Sequence, residues 1–257
     1  MGGLEDRLRS VRDAGGKAFV PYVTGGFPGV DADLLRSLAS AGADAIEVGI
    51  PHSDPIMDGG VIQATSRIAL ENGTRPSDVL ATIRDAAVEV PVAVMTYANL
   101  VYRRGLEVFC DDLVDAGVSG AIVPDLPVDE ASEWDRLAAA RGLDAVQLAA
   151  PGTTGARYAA IASASRGFVY CVATYGVTGA RDRLAGTARE VVEALRPHTD
   201  LPLLVGVGIG APEQAAEAGA FADGVIVGSA LMRSLREDGA SAMLDLARAF
   251  RAALSTI

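Results

Sequence analysis

Glu47, Asp54 and Asp58 lie in the run Ile46-Glu47-Val48-Gly49-Ile50-Pro51-His52-Ser53-Asp54-Pro55-Ile56-Met57-Asp58-Gly59-Gly60, and carboxyls gathered this closely are candidates for acid and base work. Ile46, Val48 and Ile50 alternate around Glu47 as in a buried strand, so this acid is embedded among apolar residues. Burial favours the uncharged form and raises its pKa. Asp58 follows in a stretch rich in Pro and Gly, a more polar setting, and two carboxyls in unlike settings can divide the roles of acid and base. Short Asp side chains also cap turns. For Asp54 the turn role is the expectation, whereas for Asp58 spacing leaves both roles open. His52, alone beside these acids, is expected to pack or to be solvated.

Three glycine-rich runs suit a different chemistry. Gly206-Val207-Gly208-Ile209-Gly210, Gly228-Ser229-Ala230 and Tyr175-Gly176-Val177-Thr178-Gly179 each let backbone N–H groups approach an anion closely. One such run is equally well explained by a tight turn. Three of them, each after an expected strand, favour a phosphate held by amides with no basic side chain.

The elements that must position these residues alternate along the chain. Apolar segments at 18–24, 45–50, 91–97, 120–124, 145–149, 167–172, 202–206 and 224–227 read as strands. Helical periodicity fills 31–41, 76–88, 107–116, 129–140, 155–165, 187–196 and 212–218, with a further helix at 3–13 closing a barrel floor and a last one at 241–254. Strands alternating with helices imply parallel pairing, and eight such units in 257 residues fit an α/β fold of one (β/α)8 barrel domain spanning 1–257. No Gly-x-Gly-x-x-Gly follows the first strand, which weakens a dinucleotide site. In such a barrel the working residues sit at the C-terminal ends of strands. That rule selects Tyr22, Glu47, Asp58, Tyr97, Asn99, Asp125, Tyr170 and Thr178 as the rim, and puts Lys17, the only lysine, on the floor as a solvated charge. Asp125 is expected to organise the loops after strands four and two.

Composition removes other classes. A net charge of −11 and a pI near 4.6 argue against nucleic-acid or anionic-membrane binding. No run is apolar enough to span a bilayer and no leader-like start is seen, so a cytoplasmic chain is expected. His52 and His198 are the only histidines, which makes a multi-histidine metal site improbable. Cys110 and Cys171 stand outside any CxxC spacing and are expected to be reduced. With no well-placed Schiff-base lysine and no multi-histidine metal site, paired carboxyls are what remains for bond-breaking chemistry.

Taken together, the residues resemble the tryptophan synthase α subunit family, the indole-3-glycerol-phosphate lyases. The likeness runs nearly end to end through Phe19-Val20-Pro21-Tyr22-Val23-Thr24, the 47–63 segment, Met95-Thr96-Tyr97-Ala98-Asn99, Pro124-Asp125-Leu126-Pro127, Gly176-Val177-Thr178-Gly179 and Gly228-Ser229-Ala230. It implies retro-aldol cleavage of indole-3-glycerol phosphate without a cofactor, in tryptophan biosynthesis. It assigns Glu47 to proton transfer at indole C3 and at the glycerol hydroxyl, and Asp58 to the indole N–H. It also implies an indole pocket of Tyr22, Met95, Tyr97, Ile122 and Tyr170, phosphate ligands Gly179, Gly208, Gly228 and Ser229, and Thr178 on a closing loop that steadies Asp58. The implied partner is a pyridoxal-phosphate-dependent β subunit in an α2β2 complex.

Some positions depart from the family pattern. Gly60 stands where proline is usual, Met57 where a small residue is common, Gly210 where serine often helps hold phosphate, and Ala173 where serine is frequent. Glycine at 60 loosens the loop that bears Asp58, and Met57 alters a surface that in the family faces the β subunit. A stand-alone lyase releasing free indole, a non-catalytic barrel that only activates a partner, and another phosphate-binding barrel are the alternatives.

Overall fold

The computed structural model describes residues 3–172, 181–206 and 208–256, with the side chains of residues 181–185 outside the description. Eight parallel strands close into a barrel in chain order: β1 Ala18–Thr24, β2 Ile46–Gly49, β3 Val92–Met95, β4 Gly120–Ile122, β5 Asp144–Ala149, β6 Val169–Val172, β7 Leu203–Gly206 and β8 Gly224–Val227. The first helices among the described residues are α1 Leu4–Asp13, α2 Ala32–Ser40, α3 Gly60–Glu71, α4 Pro76–Ala86, α5 Ala98–Arg104 and α6 Leu106–Asp115. They are followed by α7 Ser132–Ala139, α8 Gly155–Ala164, α9 Arg181–Leu195, α10 Pro212–Gly219, α11 Ser229–Asp238 and α12 Ala240–Leu254. The (β/α)8 barrel and all eight strands therefore stand where the apolar periodicity put them.

Two elements near the acids were not anticipated. α3 buries Ile62, Thr65, Ser66 and Ala69, a mixed face whose polar members mute the apolar rhythm. One of them is used: Thr24 Oγ1 of β1 meets Thr65 Oγ1 at 2.8 Å. α5 is a short helix of seven residues that starts directly after the third strand, so Tyr97 is its N-cap residue rather than a strand residue.

Strand register decides what faces inward. Phe19 of β1 stacks on Phe250 of α12 with ring centroids 6.2 Å apart, so it points outward to the helices. Side chains alternate along a strand, which turns Tyr22 inward. Tyr22 pairs with Glu47, Glu47 with Ala93, Gly49 with Met95, and Met95 with Ile122. Ile122 pairs with Val146, and Leu148, two residues on, pairs with Tyr170. Registered partners share a face, so Tyr22, Glu47, Gly49, Met95, Ile122 and Tyr170 all project into the barrel.

The opposite end is plugged. α1 buries Leu4 and Leu8, and a Cβ on Gly120 or Gly167 would come within 3.0 or 3.2 Å of Leu4 Cδ2. Glu5 N–H donates to Asp144 Oδ2 at 3.0 Å, fastening α1 across the floor as expected. Asp44, nearly buried, accepts from Arg7 at 2.7 Å, from Arg251 at 2.8 Å and from Phe19 N–H at 3.0 Å, tying α1, α12 and β1 together. Lys17 is on this floor, but it is not simply a solvated charge: its half-buried ammonium donates to Ala222 O at 3.0 Å.

Candidate active site

Glu47 is 1 % exposed, and its Oε2 has no hydrogen-bond partner among the described residues. Burial pushes its carboxyl up to about 8, and the nearby Asp58 charge pushes in the same direction. At neutral pH Glu47 therefore carries a proton, with Oε2 facing no donor among the described residues.

Asp58 arrives from the loop after β2. Its N–H donates to Pro55 O at 3.0 Å, and Gln63 Nε2 of α3 donates to its carbonyl at 2.9 Å. Its side chain is held from the N-cap of α5: Tyr97 Oη donates to Asp58 Oδ2 at 2.9 Å and accepts from Met57 N–H at 3.1 Å. Burial raises the Asp58 pKa, while the Tyr97 hydrogen bond and His52 work against that rise. The pair thus divides as unlike settings should, with Glu47 Oε2 lacking a donor among the described residues and Asp58 Oδ2 supplied with one.

Tyr22 and Tyr170 frame these acids, each made possible by a glycine on the next strand. A Cβ on Gly49 would fall 2.1 Å from Tyr22 Oη, and one on Gly206 would fall 2.1 Å from Tyr170 Oη. Burial raises both phenol pKa values, and the charges of Asp58 and Glu47 raise both further, so the two rings and the two acids share one space. Ile122 is fully buried and Met95 half-buried on the same inner face. These packing glycines were not singled out from the sequence, where Gly206 read as part of an anion loop. The available signal was a glycine ending a strand beside a strand with an inward tyrosine.

At the exits of β7 and β8, where the sequence suggests a phosphate site, Gly208 takes φ +92°, a conformation that favours glycine. Gly228 is the N-cap residue of α11, and the first helical bond runs from Met232 N–H to Gly228 O at 2.9 Å, which leaves the opening amides from Ser229 onward facing the rim. Gly228 has a second reason to be glycine, since a Cβ there would press on the Tyr22 ring at 3.2 Å. Gly210 N–H is already committed to Gln214 Oε1 at 2.7 Å. Thr178 and Gly179, like Ala173, lie outside the described residues.

Three secondary expectations come out as follows. Ser53 Oγ donates to Asp54 Oδ2 at 2.8 Å and Ile56 N–H to Asp54 O at 2.9 Å, so Asp54 builds the turn. Asp125 Oδ1 accepts from Ala98 N–H at 2.8 Å, which makes it an organiser of the third strand's exit. Met57 is half-buried and lines a cavity of about 220 Å³ with Asp125 and Leu126.

The model of the family described as "Tryptophan synthase alpha chain" matches residues 8–254. A tryptophan synthase alpha chain of Streptomyces avermitilis is 43 % identical, covering 98 % of this chain and 93 % of that one. One from Synechococcus elongatus is 40 % identical over 99 % and 97 %. Among solved structures, tryptophan synthase of Mycobacterium tuberculosis superposes with a TM-score of 0.89 at 40 % identity, over 98 % of this chain and 97 % of that one. The alpha subunit of Legionella pneumophila superposes with 0.90 at 32 % identity, over 100 % of both chains. On these matches the chain belongs to the tryptophan synthase alpha chain family, the lyases that cleave indole-3-glycerol phosphate in tryptophan biosynthesis.

Proposed function

We propose that Glu47 and Asp58 carry the family's reaction in this chain, the retro-aldol cleavage of indole-3-glycerol phosphate to indole and glyceraldehyde 3-phosphate. Tyr22, Met95, Tyr97, Ile122 and Tyr170 surround the indole, and Gly208, Gly228 and Ser229 bind the phosphate together with Gly179, while Thr178 closes over the site. The observation that carries this reading is Glu47, an inward-facing acid with a free oxygen and a pKa raised to about 8. Glu47 delivers its proton to indole C3. Positive charge then develops on the ring nitrogen, and the Asp58 carboxylate accepts a hydrogen bond from its N–H. As the bond between C3 and the glycerol carbon breaks, its electrons return to the indole ring and the neighbouring hydroxyl gives its proton to the Glu47 carboxylate. The aldehyde is left, and Glu47 ends as it began.

The same reading includes a β subunit in an α2β2 complex in the cytoplasm, with pyridoxal phosphate on the partner's own chain. What supports a partner is the family itself, and the large apolar side chains left exposed after β2 and β3: Ile56 at 77 % and Tyr102 at 54 %. Among the described residues no helix is long and apolar enough to cross a membrane. Steady-state cleavage by the purified chain, alone and with a β subunit, tests the proposal. Slow indole release that β accelerates, lost in Glu47→Gln, is the expected result. Fast release by the chain alone supports a stand-alone lyase, and none in either assay overturns the catalytic reading.

A further inference from the structure

We propose that His52 is a positioning residue for this reaction, holding Tyr97 and through it the Asp58 carboxylate in the orientation that receives the indole N–H; this rests on the role given to Asp58 above. The His52 ring stacks on Tyr97 with centroids 4.5 Å apart and planes 23° from parallel. Both ring nitrogens are tied. Nδ1 accepts from Asp54 N–H at 3.1 Å, and Nε2 lies 3.0 Å from Asn99 Oδ1. A backbone amide only donates and an amide oxygen only accepts, so the two partners fix the plane of the ring, with Nδ1 accepting and Nε2 donating. One anchor belongs to the loop after β2 and the other to the first turn of α5, so the imidazole joins the two segments that supply Asp58 and Tyr97.

The Tyr97 hydroxyl is fully committed. It accepts from Met57 N–H, which directs its single proton to Asp58 Oδ2. Asp58 is followed by Gly59, the N-cap residue of α3, and its carbonyl accepts from Gln63 Nε2, so its main chain is held by α3 while its carboxylate is met by Tyr97. The aim of the carboxylate then depends on Tyr97, and the His52 ring lies flat against Tyr97. A small tilt of a catalytic group is expensive in rate, because the near-attack geometry is lost.

The test is kcat and KM for indole-3-glycerol phosphate cleavage by the full chain carrying His52→Ala, His52→Phe, Tyr97→Phe, Asp58→Asn and the His52→Ala/Tyr97→Phe pair, with melting temperatures to confirm folding. His52→Ala is expected to lower kcat about tenfold with KM changed less than about twofold, and His52→Phe, which keeps the stacked ring, to recover most of the loss. In the Tyr97→Phe background His52→Ala should add less than about twofold, because the two act through one contact. Equal losses in both backgrounds, a loss in KM alone, or an unaltered rate in His52→Ala would overturn the proposal while leaving Asp58 in place. An Asp58→Asn chain that cleaves at full rate would instead overturn the role of Asp58, and this inference with it.

Discussion

Glu47 works against the stability of its own fold. It holds its proton to about pH 8 when folded, against an ordinary value of 4.5. Between those values the folded chain binds more protons than the unfolded one, so this group's contribution to stability is complete in acid and is lost as pH rises through about 8. Glu47→Gln removes the ionisation. It is expected to be more stable than the unaltered chain above pH 8 by on the order of 2 kcal/mol, with little difference near pH 4, as read by thermal melts. Its cleavage rate should fall by about 100- to 10,000-fold. In the proposed reaction Asp58 has the reverse need, since it must be ionised to accept from the indole nitrogen. The Tyr97 hydrogen bond holds its pKa down, so Tyr97→Phe should raise that pKa and move the acid limb of kcat/KM to higher pH, which a pH–rate series would show. Glu47 could be found from sequence because an acid in an alternating apolar strand is conspicuous. The Tyr97–Asp58 bond could not, because it joins residues 39 apart through the conformation of a loop.

At the scale of elements, the strands were readable and their exits were not. Apolar alternation located every strand of the barrel, and the register then placed Tyr22, Glu47, Met95, Ile122 and Tyr170 on one face with no further assumption. α3 and α5 escaped because one buries hydroxyls and the other is too short for a periodic signal. Both matter to the site, since α3 supplies Gln63 to the Asp58 carbonyl and α5 begins at Tyr97. The close fit between neighbouring strands is equally invisible in composition. Gly49→Ala would drive a Cβ into the Tyr22 ring, with contacts of 2.1 to 2.8 Å. It should cost about 1 to 3 kcal/mol of stability and raise KM as Tyr22 is displaced, measurable by urea unfolding and steady-state kinetics.

The whole molecule separates a fastened floor from a chemically active rim. Asp44, just before β2, joins α1, α12 and β1 through two arginines and a backbone amide. Asp44→Ala would leave Phe19 N–H without that acceptor and should destabilise the chain by about 2 kcal/mol, a value discounted because Arg7 and Arg251 keep contact with water. Its urea midpoint would report the loss. The proposed phosphate site is compatible with an acidic chain, because it would use the amides of Gly228 and α11 and not net charge. The central claim is that one buried, protonated carboxyl runs both proton transfers, and its most direct test is the pH dependence of kcat/KM for indole-3-glycerol phosphate cleavage. A fall in rate as pH rises through about 8 is predicted, where Glu47 loses its proton. A rate that stays level well above that pH, or one that survives Glu47→Gln, would contradict the account.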